Sequence, residues 1–75
     1  MKISDLQDKT IINIKDGRKI GTISDLEINE NGMITSIYAR SSKLFFNIFN
    51  SNEEFIFKTS DIKKIGEDVI LVQID

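Results

Sequence analysis

"KIGTISDLEINENGMITSIYAR", residues 19–40, decides the fold. Two runs of apolar and polar residues in alternation flank Asn31-Gly32, a strong short signal for a β-hairpin. With Asn31 and Gly32 as a two-residue type I′ loop, the cross-strand pairs are Ile28/Thr35, Leu26/Ile37 and Ser24/Ala39 on one face. The opposite face collects Glu27/Ser36 and Asp25/Tyr38. One face is then apolar and the other largely polar, so register and composition agree. Ile23 falls on the wrong face for this register, and Gly21 beside it permits a bulge or a sharp bend.

The pattern continues outward from this hairpin. "TIINIK" (10–15) reads as a strand that leads through "KDGR" into residue 19. A two-residue Asp16-Gly17 loop would pair Ile14 with Lys19 and waste the alternation. An odd-length loop with Gly17 left-handed puts Ile12, Ile14 and Ile20 on one face, and this is the expected turn. "EEFIFK" (53–58) and "VILVQI" (69–74) are further strands. Between them, Thr59 or Ser60 can cap a short turn anchored by Ile62 and Ile65, and Gly66-Glu67-Asp68 forms the last turn. "ISDLQDK" allows one helical turn with Ser4 as N-cap. Fifteen isoleucines favour strands over helices. The expected fold is all-β: a small barrel of five or six short antiparallel strands with one short helical turn, in a single domain over residues 1–75.

Composition narrows the chemistry. A 75-residue chain buries only about 60% of its unfolded surface, so its stability margin is small. Cysteine and histidine are both absent, which removes disulfides, the usual structural zinc sites and the common nucleophile triads. The paired carboxylates Glu53-Glu54 and Glu67-Asp68 are adjacent in sequence, so on a strand they point to opposite faces rather than into one cleft. Gly17 and Gly21 do not complete a phosphate-binding loop. "EINENG" imitates the start of a calcium loop, but Tyr38 stands where the bidentate glutamate belongs. No catalytic residue, cofactor or metal is expected. Net charge is −2 with pI near 5.0 and the basic residues are scattered, which disfavours nucleic acid. The N-terminus carries no apolar run of signal-peptide length, so a cytoplasmic protein with no membrane contact is expected.

One stretch resists this bland reading. "SSKLFFNIFNSN" (41–52) places Leu44, Phe45, Phe46, Ile48 and Phe49 among serine and asparagine. These side chains either plug an open end of the barrel or meet a partner. Phe45 and Phe46 are adjacent and cannot easily share one small core. A contiguous apolar patch with aromatic anchors marks an interaction site, so self-association as a twofold dimer is expected, with this segment in or beside the contact.

The run from Asp16-Gly17 through Gly21, Ile23 and Asp25 to Asn31-Gly32 resembles the PRC-barrel family, more narrowly its short stand-alone members associated with sporulation in Gram-positive bacteria. "DIKKIGEDVILV", containing Gly66, and Ile3 to Gln7 are similar to that subfamily as well. Two features depart from the family pattern: the chain has no proline, where relatives often carry one near residue 58, and residues 41–52 lack the expected glycines. The resemblance implies a small β-barrel that docks onto other macromolecules, with Asp25 in a structural role. A non-enzymatic protein-interaction module is the leading expectation, with protein partners or a second copy. The alternative is an RNA or ribosome-assembly domain, since a related barrel occurs in a ribosome maturation factor.

Overall fold

The structure is a computed structural model that describes residues 1–41 and 54–74. Among these residues a short helix α1 (Ile3–Gln7) precedes six strands: β1 (Thr10–Asn13), β2 (Arg18–Ile28), β3 (Ile34–Arg40), β4 (Glu54–Phe57), β5 (Ile62–Ile65) and β6 (Val69–Val72). A single 3-10 turn (Thr59–Asp61) joins β4 to β5. The strands form one sheet in the order β4-β3-β2-β1-β6-β5.

Strand β2 organises this sheet. It is 11 residues long, pairing with β1 through its first part and with β3 through its second. Two irregularities bend it. Ile20 is the extra residue opposite β1, and Ser24 is the extra residue opposite β3. Extra residues increase local twist and coil a strand, so the two halves of the sheet turn their apolar faces toward each other. Ile11, Ile70 and Val72 from one half meet Ile23, Ile37, Ala39 and Phe57 from the other in a single buried cluster. Leu6 of α1, with Ile20, Leu26, Ile34, Phe55, Ile62 and Ile74, packs around it.

The central hairpin keeps the expected pairs Asp25/Tyr38, Leu26/Ile37 and Glu27/Ser36, but its turn differs. Asn29 and Met33 close a three-residue loop, Gly32 N–H donates to Asn29 O at 3.0 Å, and only Gly32 has positive φ (+82°). This is a β-turn followed by one left-handed residue, not the type I′ turn, because Asn31 keeps negative φ. The pairs near the turn therefore slip: Ile28 lies opposite Ile34 rather than Thr35, and Thr35 becomes an extra residue that restores the register. At the other end Ile23, not Ser24, lies opposite Ala39, which returns Ile23 to the core at 6% exposure. Both extra residues are hydroxylic. Ser24 Oγ donates to Tyr38 O and Thr35 Oγ1 to Glu27 O, each at 3.2 Å, compensating where the ladder breaks.

Asn29 is therefore the residue on which the hairpin turn depends. Its Oδ1 accepts N–H groups from both Asn31 (2.9 Å) and Met33 (3.0 Å). Asn29→Ala is expected to cost about 1–2 kcal/mol in urea unfolding, and Asn31→Ala less than about 0.5 kcal/mol. Gly32→Val forces a branched residue into left-handed backbone and should cost about 1–2 kcal/mol. Equal losses at Asn29 and Asn31 would contradict this turn.

Other expectations also need correction. The first turn has four residues, 14–17, because Asn13 pairs with Arg18, although Gly17 is left-handed (φ +72°). Ile14 then sits in the turn and is exposed, and Ile11 rather than Ile12 enters the core. The helix begins earlier than expected. Lys2 is the N-cap and its N–H donates to Asp5 Oδ2 at 2.9 Å, while Ser4 lies inside the helix. Lys58 rather than Thr59 or Ser60 precedes the 3-10 turn, donating its N–H to Asp61 Oδ2 at 3.0 Å. Ile62 packs on the core, but Ile65 is exposed.

The strands are not all antiparallel. β1 and β6 run parallel, Ile11 opposite Ile70. Closure by hydrogen bonds is absent among the described residues, since the order begins at β4 and ends at β5.

Candidate functional site

Two surface features could meet another molecule. The first is a cleft beside the β1–β2 turn. The apolar Ile20, Phe55 and Ile74 line it together with Asn13, Asp16, Arg18 and Lys19, and its volume is about 210 Å³. That is below the usual range of roughly 300–1,000 Å³ for small-ligand pockets. Its polar groups are partly committed to structure. Asn13 is buried; its Nδ2 donates to Ile74 O at 2.9 Å, and its Oδ1 accepts the N–H groups of Ile74 and Lys15, both at 3.2 Å. Asp16 Oδ1 accepts the N–H of Arg18 at 3.0 Å. Through its bonds to Ile74, Asn13 ties the end of β1 to the segment that follows β6.

The second feature is the outer face of β2–β3–β4. Strand alternation turns Asp25, Glu27, Ser36, Tyr38, Arg40, Glu54 and Ile56 away from the core. Asp25, Tyr38 and Ile56 lie in one cross-strand row, and Arg40 lies opposite Glu54. Ile56 is 60% exposed, a large apolar side chain standing among charges. Tyr38 Oη donates to Glu27 Oε1 at 3.2 Å.

This hydrogen bond first, then the Glu27 charge, burial and the Glu54 and Asp25 carboxylates, raise the Tyr38 phenol above the ordinary tyrosine value. All of these favour the neutral phenol. The stabilisation is therefore complete below the ordinary tyrosine value and lost as pH climbs through the raised folded value. Tyr38 is the one tyrosine, and tryptophan is absent, so tyrosinate absorbance reports this site alone. Its midpoint should lie above that of free tyrosine, and Glu27→Gln should lower it. An unshifted midpoint in the folded protein would contradict the contact.

The residues selected from sequence disperse over the structure. Asp25 Oδ1 accepts the N–H of Leu26 at 2.8 Å, beside the Ser24 irregularity. Gly21 lies against the end of β3, where an added Cβ would come within 1.9 Å of Arg40 O. Gly66 donates its N–H to Val69 O at 2.7 Å in the β5–β6 turn. Glu27 and Asn29 of the calcium-like stretch turn their oxygens to Tyr38 and to the hairpin turn respectively. Leu44, Phe45, Phe46, Ile48 and Phe49 lie outside the described residues.

Two polar residues with structural roles were missed. Besides Asn13, the buried Lys9 extends its Nζ to Glu67 O, tying the β5–β6 turn to the start of β1, where Thr10 N–H also donates to Asp68 O at 3.0 Å. No local pattern announces their long-range contacts, because Glu67 and Ile74 lie some 60 positions away.

No helix among the described residues is long and apolar enough to cross a membrane. Comparison with known proteins gives a concordant result. The family model for the PRC-barrel domain matches residues 1–75. The chain is 37% identical over 75 residues to the probable sporulation protein YlmC of Bacillus subtilis, covering 99% of this chain and 93% of that protein. It is 32% identical over 77 residues to YmxH of the same organism, an uncharacterized protein, covering 99% and 89% respectively. An uncharacterized protein of Clostridium acetobutylicum is 36% identical over 74 residues, covering 97% and 84%. A curled sheet bent within β2, matched from end to end by the family model and by relatives over most of their length, makes this chain a member of the PRC-barrel family.

Proposed function

We propose that this protein is a non-enzymatic interaction module that acts by protein–protein contact, self-association included, in a sporulation-related setting. The observation that carries this reading is the outer β2–β3–β4 face. It exposes Ile56 beside Tyr38, with charged groups around them, an apolar centre with a polar rim of the kind protein interfaces use. The apolar segment containing Leu44, Phe45, Phe46, Ile48 and Phe49 supports the same reading from sequence alone. The setting comes from the relative described as a probable sporulation protein.

The face is a poor one for nucleic acid. Asp25, Glu27 and Glu54 surround Tyr38 and would repel phosphates. A photo-crosslinking residue placed at position 38 or 56 in sporulating cells tests the reading. Discrete protein adducts, one of them at the mass of two chains, are expected. Crosslinks to nucleic acid in place of protein would contradict it.

A further inference from the structure

The two edges of the sheet differ. Along β5, Lys63 is an extra residue opposite β6 and Lys64 follows it; a bulge and lysines are both devices that discourage edge pairing. Two β5 strands brought together antiparallel would also set lysine against lysine. β4 has no bulge, and no lysine lies within its four residues. Its pairing with β3 runs without irregularity from Glu54 to Phe57, and it has a hydrogen-bonded strand neighbour on one side only among the described residues. Glu54 and Ile56 face outward, while Phe55 and Phe57 face the core. Lys58 continues in extended backbone (φ −106°, ψ 160°) and is exposed, so alternation carries it outward too. The outer row of this edge is thus Glu54, Ile56, Lys58.

That row is complementary to itself. An antiparallel pair of β4 strands related by a twofold axis through Ile56 keeps inner faces with inner faces. It sets Ile56 against Ile56 of the second copy, Phe55 against Phe57, and Glu54 against Lys58 at both ends. A twofold contact requires such reciprocity, residue i meeting j and j meeting i. Tyr38 lies opposite Ile56 within each chain, so Tyr38 and Ile56 of both copies form one continuous outer row, covering a side chain that is 60% exposed in the single chain. We infer that the protein dimerises by antiparallel pairing of its β4 edges about Ile56, with Glu54–Lys58 pairs between copies. This contact rests on the self-association proposed above.

Charge exchange on the full chain tests it by sedimentation velocity at low salt. Because the contact is twofold, Glu54→Lys or Lys58→Glu alone replaces two attractive pairs with two repulsive ones. Each should weaken the dimer roughly tenfold or more. The double variant Glu54→Lys/Lys58→Glu should return to within roughly threefold of the original affinity. Melting curves at low concentration check that each variant folds. Should Glu54→Lys fail to fold beside Arg40, Ile56→Lys is the substitute: it alters an exposed position and sets two like charges on the axis. If the unaltered chain dimerises but neither single exchange nor Ile56→Lys weakens it, this contact is overturned while self-association stands. Weakening by both single exchanges without recovery in the double variant overturns the paired register. A chain that stays monomeric at about 500 μM overturns the contact and the self-association together.

Discussion

Gly21→Ala is expected to lower the melting temperature by more than about 12 °C, a loss of about 3 kcal/mol or more for a domain of this size. Gly21 has φ +146°, a conformation that side chains rarely adopt. The greater cost is steric. An added Cβ would lie 1.9 Å from Arg40 O, 2.7 Å from Arg40 C and 2.9 Å from Ser41 Cα. All three are backbone atoms, so no rotamer change can relieve the overlap. The end of β3 would have to leave β2, breaking the Thr22–Arg40 pairing next to it. With total stability of roughly 4–11 kcal/mol for a chain this long, little margin remains. A melting temperature within about 5 °C of the unaltered protein would refute this close approach.

Ile70→Ala is expected to cost about 2–5 kcal/mol in urea unfolding. Ile70 is 1% exposed and lies between Ile11 of β1 and Ile65 of β5. Truncating it removes apolar burial and leaves a cavity where the two halves of the sheet meet. Its cross-strand partner supplies the control. Ile65 is 40% exposed on the edge strand, and Ile65→Ala should cost less than about 1 kcal/mol. Similar losses at the two positions would mean that β6 is not the central strand it is here.

These two residues also show what a sequence can and cannot reveal. Gly21 was legible as a bend because Ile23 had no place in the register of the Asn31-Gly32 hairpin, and a bend was the way to turn it inward. Irregularities fall on both sides of Gly21, at Ile20 opposite β1 and at Ser24 opposite β3, where the Ser24 hydroxyl reaches Tyr38 O across the break. The pairs Asp25/Tyr38, Leu26/Ile37 and Glu27/Ser36 followed from alternation alone. Slippage at the turn did not, because a two-residue and a three-residue loop use the same Asn-Gly letters, and the choice depends on Asn29 Oδ1 holding two N–H groups. The parallel β1–β6 pairing was beyond local pattern. Its two strands lie at opposite ends of the chain, and nothing beside Asn13 or Lys9 in sequence points to the distant carbonyls that their side chains reach. The outer face was half legible: Tyr38 was set opposite Asp25, but the exposure of Ile56 needed the inward turn of Phe57.

The role proposed for this PRC-barrel protein is contact with protein, its own second copy first. Sedimentation equilibrium of the unaltered chain from about 5 to 500 μM tests it most directly, because mass action must populate a dimer as concentration rises. The average mass is expected to climb from the 8.6 kDa of a single chain toward twice that value and to fall back on dilution. A mass fixed at 8.6 kDa across the whole range would contradict it.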